Sequence, residues 1–271
     1  MPQFAANLSM LFTEWDFLDR FAAAADHGFQ AVELQFPYDH SPDSIARRLE
    51  EARLPLVLLN APPGDPDRGE RGLAAIPERA SDFRISIAEA RIYAQATGAA
   101  KVHVMAGRAA SDSPTARAAY LDALRFALDA LPDCEVLIEP LNPRDAPGYF
   151  LASFEVAAGI IAEIGSPRLK LQYDIYHRQI LHGDVLTSLT ALAPIVGHVQ
   201  IASVPARAEP CSGELDDIRI FDRLDAQGYA SFVGCEYRPA RGTTAGLGWL
   251  DRYRKRRDGE VRLKSTWREK L

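Results

Sequence analysis

Short apolar runs alternate with amphipathic stretches eight times along this chain, and few folds can use that pattern. The runs fall at residues 4–7, 31–34, 56–59, 102–105, 136–138, 169–173, 198–199 and 232–235. Between them lie helix signals. Ser41-Pro42 and Ser113-Pro114 each offer a cap followed by a first-turn proline, the second opening a helix that reaches residue 131. Thr13, with Asp16 three positions on, predicts a helix running to about residue 27, before Gly28. Further helices are expected over 81–97, 153–164, 185–192 and 217–227, with a last one after Thr243. Eight strand and helix pairs predict an α/β fold, a (β/α)8 TIM barrel.

A doubly wound open sheet gives similar local signals, so the choice rests on motifs. No G-x-G-x-x-G follows the first run and no P-loop occurs. Runs such as 57–59 and 136–138 are continuously apolar, as strands covered on both faces should be. The chain has 271 residues, 47% hydrophobic and 25% charged. About 150 residues per domain would suggest two domains, but one barrel of roughly 250 residues fits as well. A single-domain barrel over 1–254 and a basic C-terminal tail over 255–271 is the expected organisation. The longest irregular stretch, 60–77, reads as a binding loop or lid after strand three.

Three cysteines, Cys134, Cys211 and Cys235, are too few and too far apart for a C-x-x-C zinc or redox pair. With no basic start leading into an apolar leader and no run of 18 apolar residues, a cytoplasmic protein with no membrane partner is expected. The formal net charge of -6 argues against nucleic acid as a partner. Residues 251–271 carry nine Lys or Arg against four Asp or Glu, and a solvated helix end and tail is the simplest reading of that excess. A homo-oligomer is compatible with the sequence and is not required by it.

The last four runs each stop at one polar side chain able to hold a hard metal ion: Glu139, Asp174, Gln200 and Glu236. Their separations, 35, 26 and 36 positions, are each about one strand plus one helix with loops. Successive barrel strands would therefore deliver all four to the same end, where barrel enzymes keep their active sites. A metal-dependent enzyme is the expectation.

Several motifs carry a family resemblance. They are Ala5-Ala6-Asn7-Leu8-Ser9-Met10, Pro63-Gly64-Asp65 with Gly69-Glu70-Arg71-Gly72, Val102-His103-Val104-Met105-Ala106-Gly107, Tyr173-Asp174-Ile175-Tyr176-His177, His198-Val199-Gln200-Ile201-Ala202 and Gly234-Cys235-Glu236-Tyr237. In this order they resemble the hydroxypyruvate isomerase family, which includes the 2-oxo-tetronate isomerases and belongs to the xylose-isomerase-like barrels. The resemblance runs over residues 1 to about 254. It implies a divalent cation held by Glu139, Asp174, Gln200 and Glu236, the set that spacing had proposed. It also implies that Glu139 and Glu236 are the catalytic pair that moves protons. Sugar epimerases of the wider group carry a histidine where Gln200 stands, which favours the isomerase branch.

The implied reaction interconverts hydroxypyruvate and tartronate semialdehyde, or 2-oxo-tetronate and 3-oxo-tetronate, through a metal-stabilised enediolate. Positive charge on the enediolate oxygens is worth several kcal/mol, and each proton-moving glutamate about 10² to 10⁴ in rate. Three carboxylates and one amide oxygen suit Mg²⁺ or Mn²⁺ better than zinc. The small hydroxy-oxo acid needs a receptor for its carboxylate, and Arg71, Arg207 and Arg238 are the candidates. His177 and Arg207 are expected to hold substrate oxygens, with His103 and Arg71 as further substrate contacts. His177 could instead only orient Asp174. The alternatives are a sugar epimerase or dehydratase on the same scaffold, or a catalytically silent binding relative.

The chain departs from the family after strand seven. A segment resembling I-A-D-V-P-G-R-H-E-P-G is there replaced by Ile201-Ala202-Ser203-Val204-Pro205-Ala206-Arg207-Ala208-Glu209-Pro210-Cys211. Ala208 stands where the family has histidine, and Ala206 and Cys211 stand where glycine is common.

Overall fold

A computed structural model describes residues 2–65, 67–251 and 253. Eight parallel strands close into a barrel in chain order: β1 Gln3–Asn7, β2 Ala31–Leu34, β3 Leu56–Asn60, β4 Lys101–His103, β5 Glu135–Ile138, β6 Leu169–Asp174, β7 Val196–Ile201 and β8 Phe232–Cys235. The ring closes where β1 pairs with β8, from Gln3 opposite Phe232 to Ala6 opposite Cys235. Around it run α1 Arg20–Asp26, α2 Pro42–Ala52, α3 Ala80–Thr97, α4 Pro114–Ala130, α5 Phe154–Ile164, α6 Ile175–Leu181, α7 Val185–Leu192, α8 Asp217–Ala226 and α9 Thr243–Gly246. The single barrel expected from the alternation is what forms. The expected basic tail at 255–271 lies outside the described residues.

Local signals set most helix starts. Ser41, Ser113 and Ser153 each accept a backbone N–H from the first turn of α2, α4 and α5, satisfying one of the donors that a helix start leaves open. Phe154, Ala157, Ile160 and Ile161 then form the buried face of α5. The main core lies between the strands and these helices. Phe4 of β1, for example, meets Phe221 of α8 and Trp249 edge-on, with ring centroids 5.1 Å away in each case. No described helix is long and apolar enough to cross a membrane.

Two local expectations fail for tertiary reasons, and one helix arises from a local cap. The helix expected from Thr13 begins instead at Arg20, after a 3-10 turn at Phe17–Asp19, and Asp16 makes no side-chain cap. Phe12 takes a positive φ of 58°, its N–H donates to Thr243 Oγ1 at 2.6 Å, and the Glu14 carboxylate accepts from the Thr243 N–H. The segment is thus tied to the far end of the chain and is not free to coil. Strand four stops at His103 and does not reach residue 105, because Ala106 leaves the barrel to pair with Gly72 and to accept the Ala75 N–H. The same pairing pins the later part of the 60–77 loop, where Leu73, Ala74 and Ala75 are buried. Helix α6 was not foreseen. It starts directly from β6 because the Asp174 carboxylate caps it, accepting from the N–H groups of Tyr176 and His177.

Candidate active site

The carboxyl ends of the strands carry a buried polar cluster. Asp174 ends β6, Gln200 lies in β7, and Glu139 and Glu236 follow β5 and β8 by one residue. Register places Asp174 level with Gln200, and Gln200 beside Gly234, so that Glu236 stands two residues beyond that level on the same side. All four are buried.

Hydrogen bonds fix the two amides in the cluster. Glu33 of β2 accepts from Gln200 Nε2 at 2.8 Å, and Glu236 accepts from the same nitrogen at 2.5 Å. Carboxylates only accept, so Gln200 must turn its oxygen the other way, toward Gln172 Nε2 at 2.7 Å. Gln172 Nε2 also donates to Glu139 Oε2 at 2.9 Å. A continuous relay therefore runs from Glu33 to Glu139. Gly234 is part of it, since a β-carbon there would overlap the Glu33 carboxylate.

The charges are in tension. Burial pushes the Glu139 carboxyl well above its usual range, and the charges of Glu236 and Asp174 push the same way. Burial also raises Asp174 and Glu236, against the opposing pull of Arg207. The Arg207 guanidinium donates to Glu236 at 2.5 Å and to Asp145 at 3.2 Å, and lies 3.8 Å from Asp174 Oδ2. Burial disfavours its charge, but Glu236, Asp174, Glu139 and Asp145 outweigh that and hold it above its ordinary value. One arginine does not satisfy the cluster: Glu139 Oε1 and Asp174 Oδ2 are buried without any hydrogen-bond donor. Buried oxygens of this kind are costly unless a cation meets them. The donor set fits a hard divalent cation.

Glu139, Asp174 and His177 can bring one ligand atom each within 4.8 Å of one another. The histidine is the weakest of the three as a ligand. Its Nδ1 receives the backbone N–H and the side-chain amide of Asn142, at 3.0 and 2.8 Å, so the ring proton belongs on Nε2, which lies 3.7 Å from Asp174 Oδ2. Burial and then Arg207 press the His177 pKa far down, so the ring is neutral. A neutral ring with Nε2–H facing the cavity donates to an oxygen.

The remaining expected residues are less uniformly placed. His103 is buried, Nδ1 being 3.6 Å from Glu139 Oε2, and burial, then His198, lowers its pKa to about 3. Arg71 is exposed on the loop after β3 and lines the same cavity, of about 80 Å³, as His103, Glu139, His177, Arg207 and Glu236. Arg238 is exposed, does not line that cavity, and gives its N–H to the Arg207 carbonyl. In the altered segment after β7, Ser203 Oγ accepts from the Ala208 N–H at 3.2 Å and from Ser212 Oγ at 3.0 Å, so the loop is held without the family histidine.

Sequence reasoning passed over Glu33, Gln172, Asp145 and Asn142. Two of them left a signal. Glu33 is a charge inside the short apolar run 31–34, and Gln172 is two positions before Asp174, hence on the same side of β6. Asp145 and Asn142 sit in a loop and gave none.

The model for the xylose isomerase-like TIM barrel family matches residues 21–253. The 2-oxo-tetronate isomerase of Cupriavidus necator is 50% identical over 257 residues, covering 93% of this chain and 99% of that protein. Hydroxypyruvate isomerase of Escherichia coli K12 is 42% identical over 258 residues, covering 94% of this chain and 100% of that protein. A solved structure from Brucella melitensis, described as an AP endonuclease of family 2, superposes with a TM-score of 0.90 at 42% identity, covering 93% of this chain and 99% of that one. The chain belongs to the xylose isomerase-like TIM barrel family, in the branch of the hydroxypyruvate and 2-oxo-tetronate isomerases, and is an enzyme of that isomerase class.

Proposed function

We propose that this enzyme is a divalent-cation-dependent isomerase of small hydroxy-oxo acids, interconverting hydroxypyruvate with tartronate semialdehyde or 2-oxo-tetronate with 3-oxo-tetronate. The observation that carries this reading is the pair of buried, donorless carboxylate oxygens on Glu139 and Asp174, beside Glu236, at one small cavity. Glu139, Asp174, Gln200 and Glu236 would hold the cation, and the all-oxygen set favours Mg²⁺ or Mn²⁺. When bound, the cation supplies the positive charge that stabilises the enediolate oxygens.

The protein groups do the rest. Glu139 and Glu236 are the proton carriers, one taking the proton beside the carbonyl and the other returning one to the former carbonyl carbon. A carboxyl whose pKa is raised toward neutrality can both accept and give a proton at working pH. Arg207, with one donor on Glu236, keeps that carboxylate oriented and its charge balanced. His177 gives its Nε2–H to a substrate oxygen, and His103 closes the wall beside Glu139. The cavity of about 80 Å³ beside the two glutamates has room for the reacting carbons of a small acid.

The test is turnover of both acids by purified protein before and after EDTA. Activity should disappear on chelation and return with Mg²⁺ or Mn²⁺ but not with buffer alone. Full activity in metal-stripped protein would refute the cation's role.

A further inference from the structure

A second cavity, of about 440 Å³, adjoins the inner one. The two share Phe36, Arg71 and Met105 as a common wall, and the outer one adds Tyr38, Pro63 and Arg108. Three loops enclose it, those following β2, β3 and β4. A ligand reaching from one cavity into the other would pass Arg71.

The charges on this chamber are unbalanced. Arg71 and Arg108 both line it, and among the described residues neither side chain has a hydrogen bond or ion pair. The acidic side chains on the chamber do not compensate. Glu70 is committed to Arg79 and to the Asp65 N–H, and Asp39 pairs with neither arginine. The two guanidinium groups belong to one neighbourhood. Arg108 lies across Gly69, two residues before Arg71, and a β-carbon at Gly69 would come within 3.7 Å of Arg108 Nη1. Arg71 also reaches inward, since its charge is felt at Tyr149 and His177. Arg207, by contrast, has its outer nitrogens on Asp145 and Glu236 and does not line the outer chamber, although its buried Nε–H has no partner in the cluster.

We propose that the outer chamber is the anion subsite of the same active site, so that a substrate lies with its carboxylate outward, held by Arg71 and Arg108, and its two reacting carbons inward beside Glu139 and Glu236. This rests on the isomerase reading above. It assigns Arg108 a specificity-determining role, places carboxylate recognition at the outer chamber, which Arg207 does not line, and fixes the direction in which the acid enters. Planar guanidinium donors suit a carboxylate, and a pair of them at a chamber mouth draws anions from solution.

The test compares hydroxypyruvate with dihydroxyacetone, the same molecule with a hydroxymethyl group in place of the carboxylate. Wild type, Arg71→Gln and Arg108→Gln are assayed on both, and binding of tartronate, an inert hydroxy diacid, is followed by calorimetry. Both side chains are on exposed loops, so the variants are expected to fold. Each should lower the acid-to-neutral ratio of kcat/KM by about tenfold, mainly through KM, and weaken tartronate by a similar factor. An unchanged ratio together with unchanged tartronate affinity overturns the subsite. If wild type turns over neither substrate, tartronate decides alone. Binding that depends on Arg108 would keep the subsite while the isomerase reading fails, and binding indifferent to both arginines, or none, would overturn the subsite as well.

Discussion

Gln200 shows how much of this site is decided by which atoms can only accept. Its amide nitrogen is claimed by Glu33 and Glu236, so its oxygen must face Gln172. That oxygen keeps a second lone pair for a cation. Glu139 and Asp174, on the same strand ends, each keep one oxygen without a donor. If Glu139 and Glu236 carry the protons, Glu139→Gln and Glu236→Gln should each lower kcat by at least about a hundredfold, because an amide cannot exchange a proton at neutral pH. Both variants should still melt cooperatively, since the amide is nearly isosteric with the carboxyl. A rate near wild type in both would remove these residues from the mechanism. The four strand-end residues were legible from spacing because a barrel converts sequence period into spatial proximity. Glu33 and Gln172 show in the sequence only as polar residues set in apolar runs, because their roles arise from partners 167 and 28 positions away that a single strand does not identify.

The element where local and global demands meet most sharply is the loop between β7 and α8. Ser203 ties down Ala208 and Ser212, and Asp217 in the first turn of α8 accepts the Cys211 N–H at 2.5 Å. Burial raises the Asp217 carboxyl from 3.8 to about 6. A carboxyl with a raised folded-state pKa favours folding most when protonated, so its contribution is fully present below about pH 4 and is lost as the pH rises through about 6. Asp217→Asn, which keeps an acceptor and loses the charge, should therefore melt higher than wild type at pH 8 and show little advantage at pH 4. Melting curves at the two values decide it, and a difference independent of pH would contradict the sign. Elements bounded by their own residues, such as α2 and α4 with serine caps and first-turn prolines, were readable in advance. Those bounded by distant ones were not: α1 starts late because Thr243 holds Phe12 and Glu14, and β4 stops early because the 72–75 segment claims Ala106.

At the scale of the whole molecule, the barrel gathers residues from Glu33 to Glu236 around one cavity that no single element could build. Eight short strands buried on both faces supply rigidity, and loops after β2, β3, β4, β5 and β7 supply walls and charges. That division of labour lets a stable frame hold three carboxylates that resist ionising together, a balance that the proposed cation and acid would complete. The central claim is proton transfer between adjacent carbons through an enediolate. It is tested most directly by NMR in D₂O with Mg²⁺ or Mn²⁺ present, hydroxypyruvate and 2-oxo-tetronate being followed separately. Enzyme-dependent deuterium uptake at the carbon beside the carbonyl, abolished by EDTA and by Glu139→Gln or Glu236→Gln, is the expected result. Isomerisation of either acid without any exchange with solvent, or no exchange and no isomerisation despite bound cation, would contradict it.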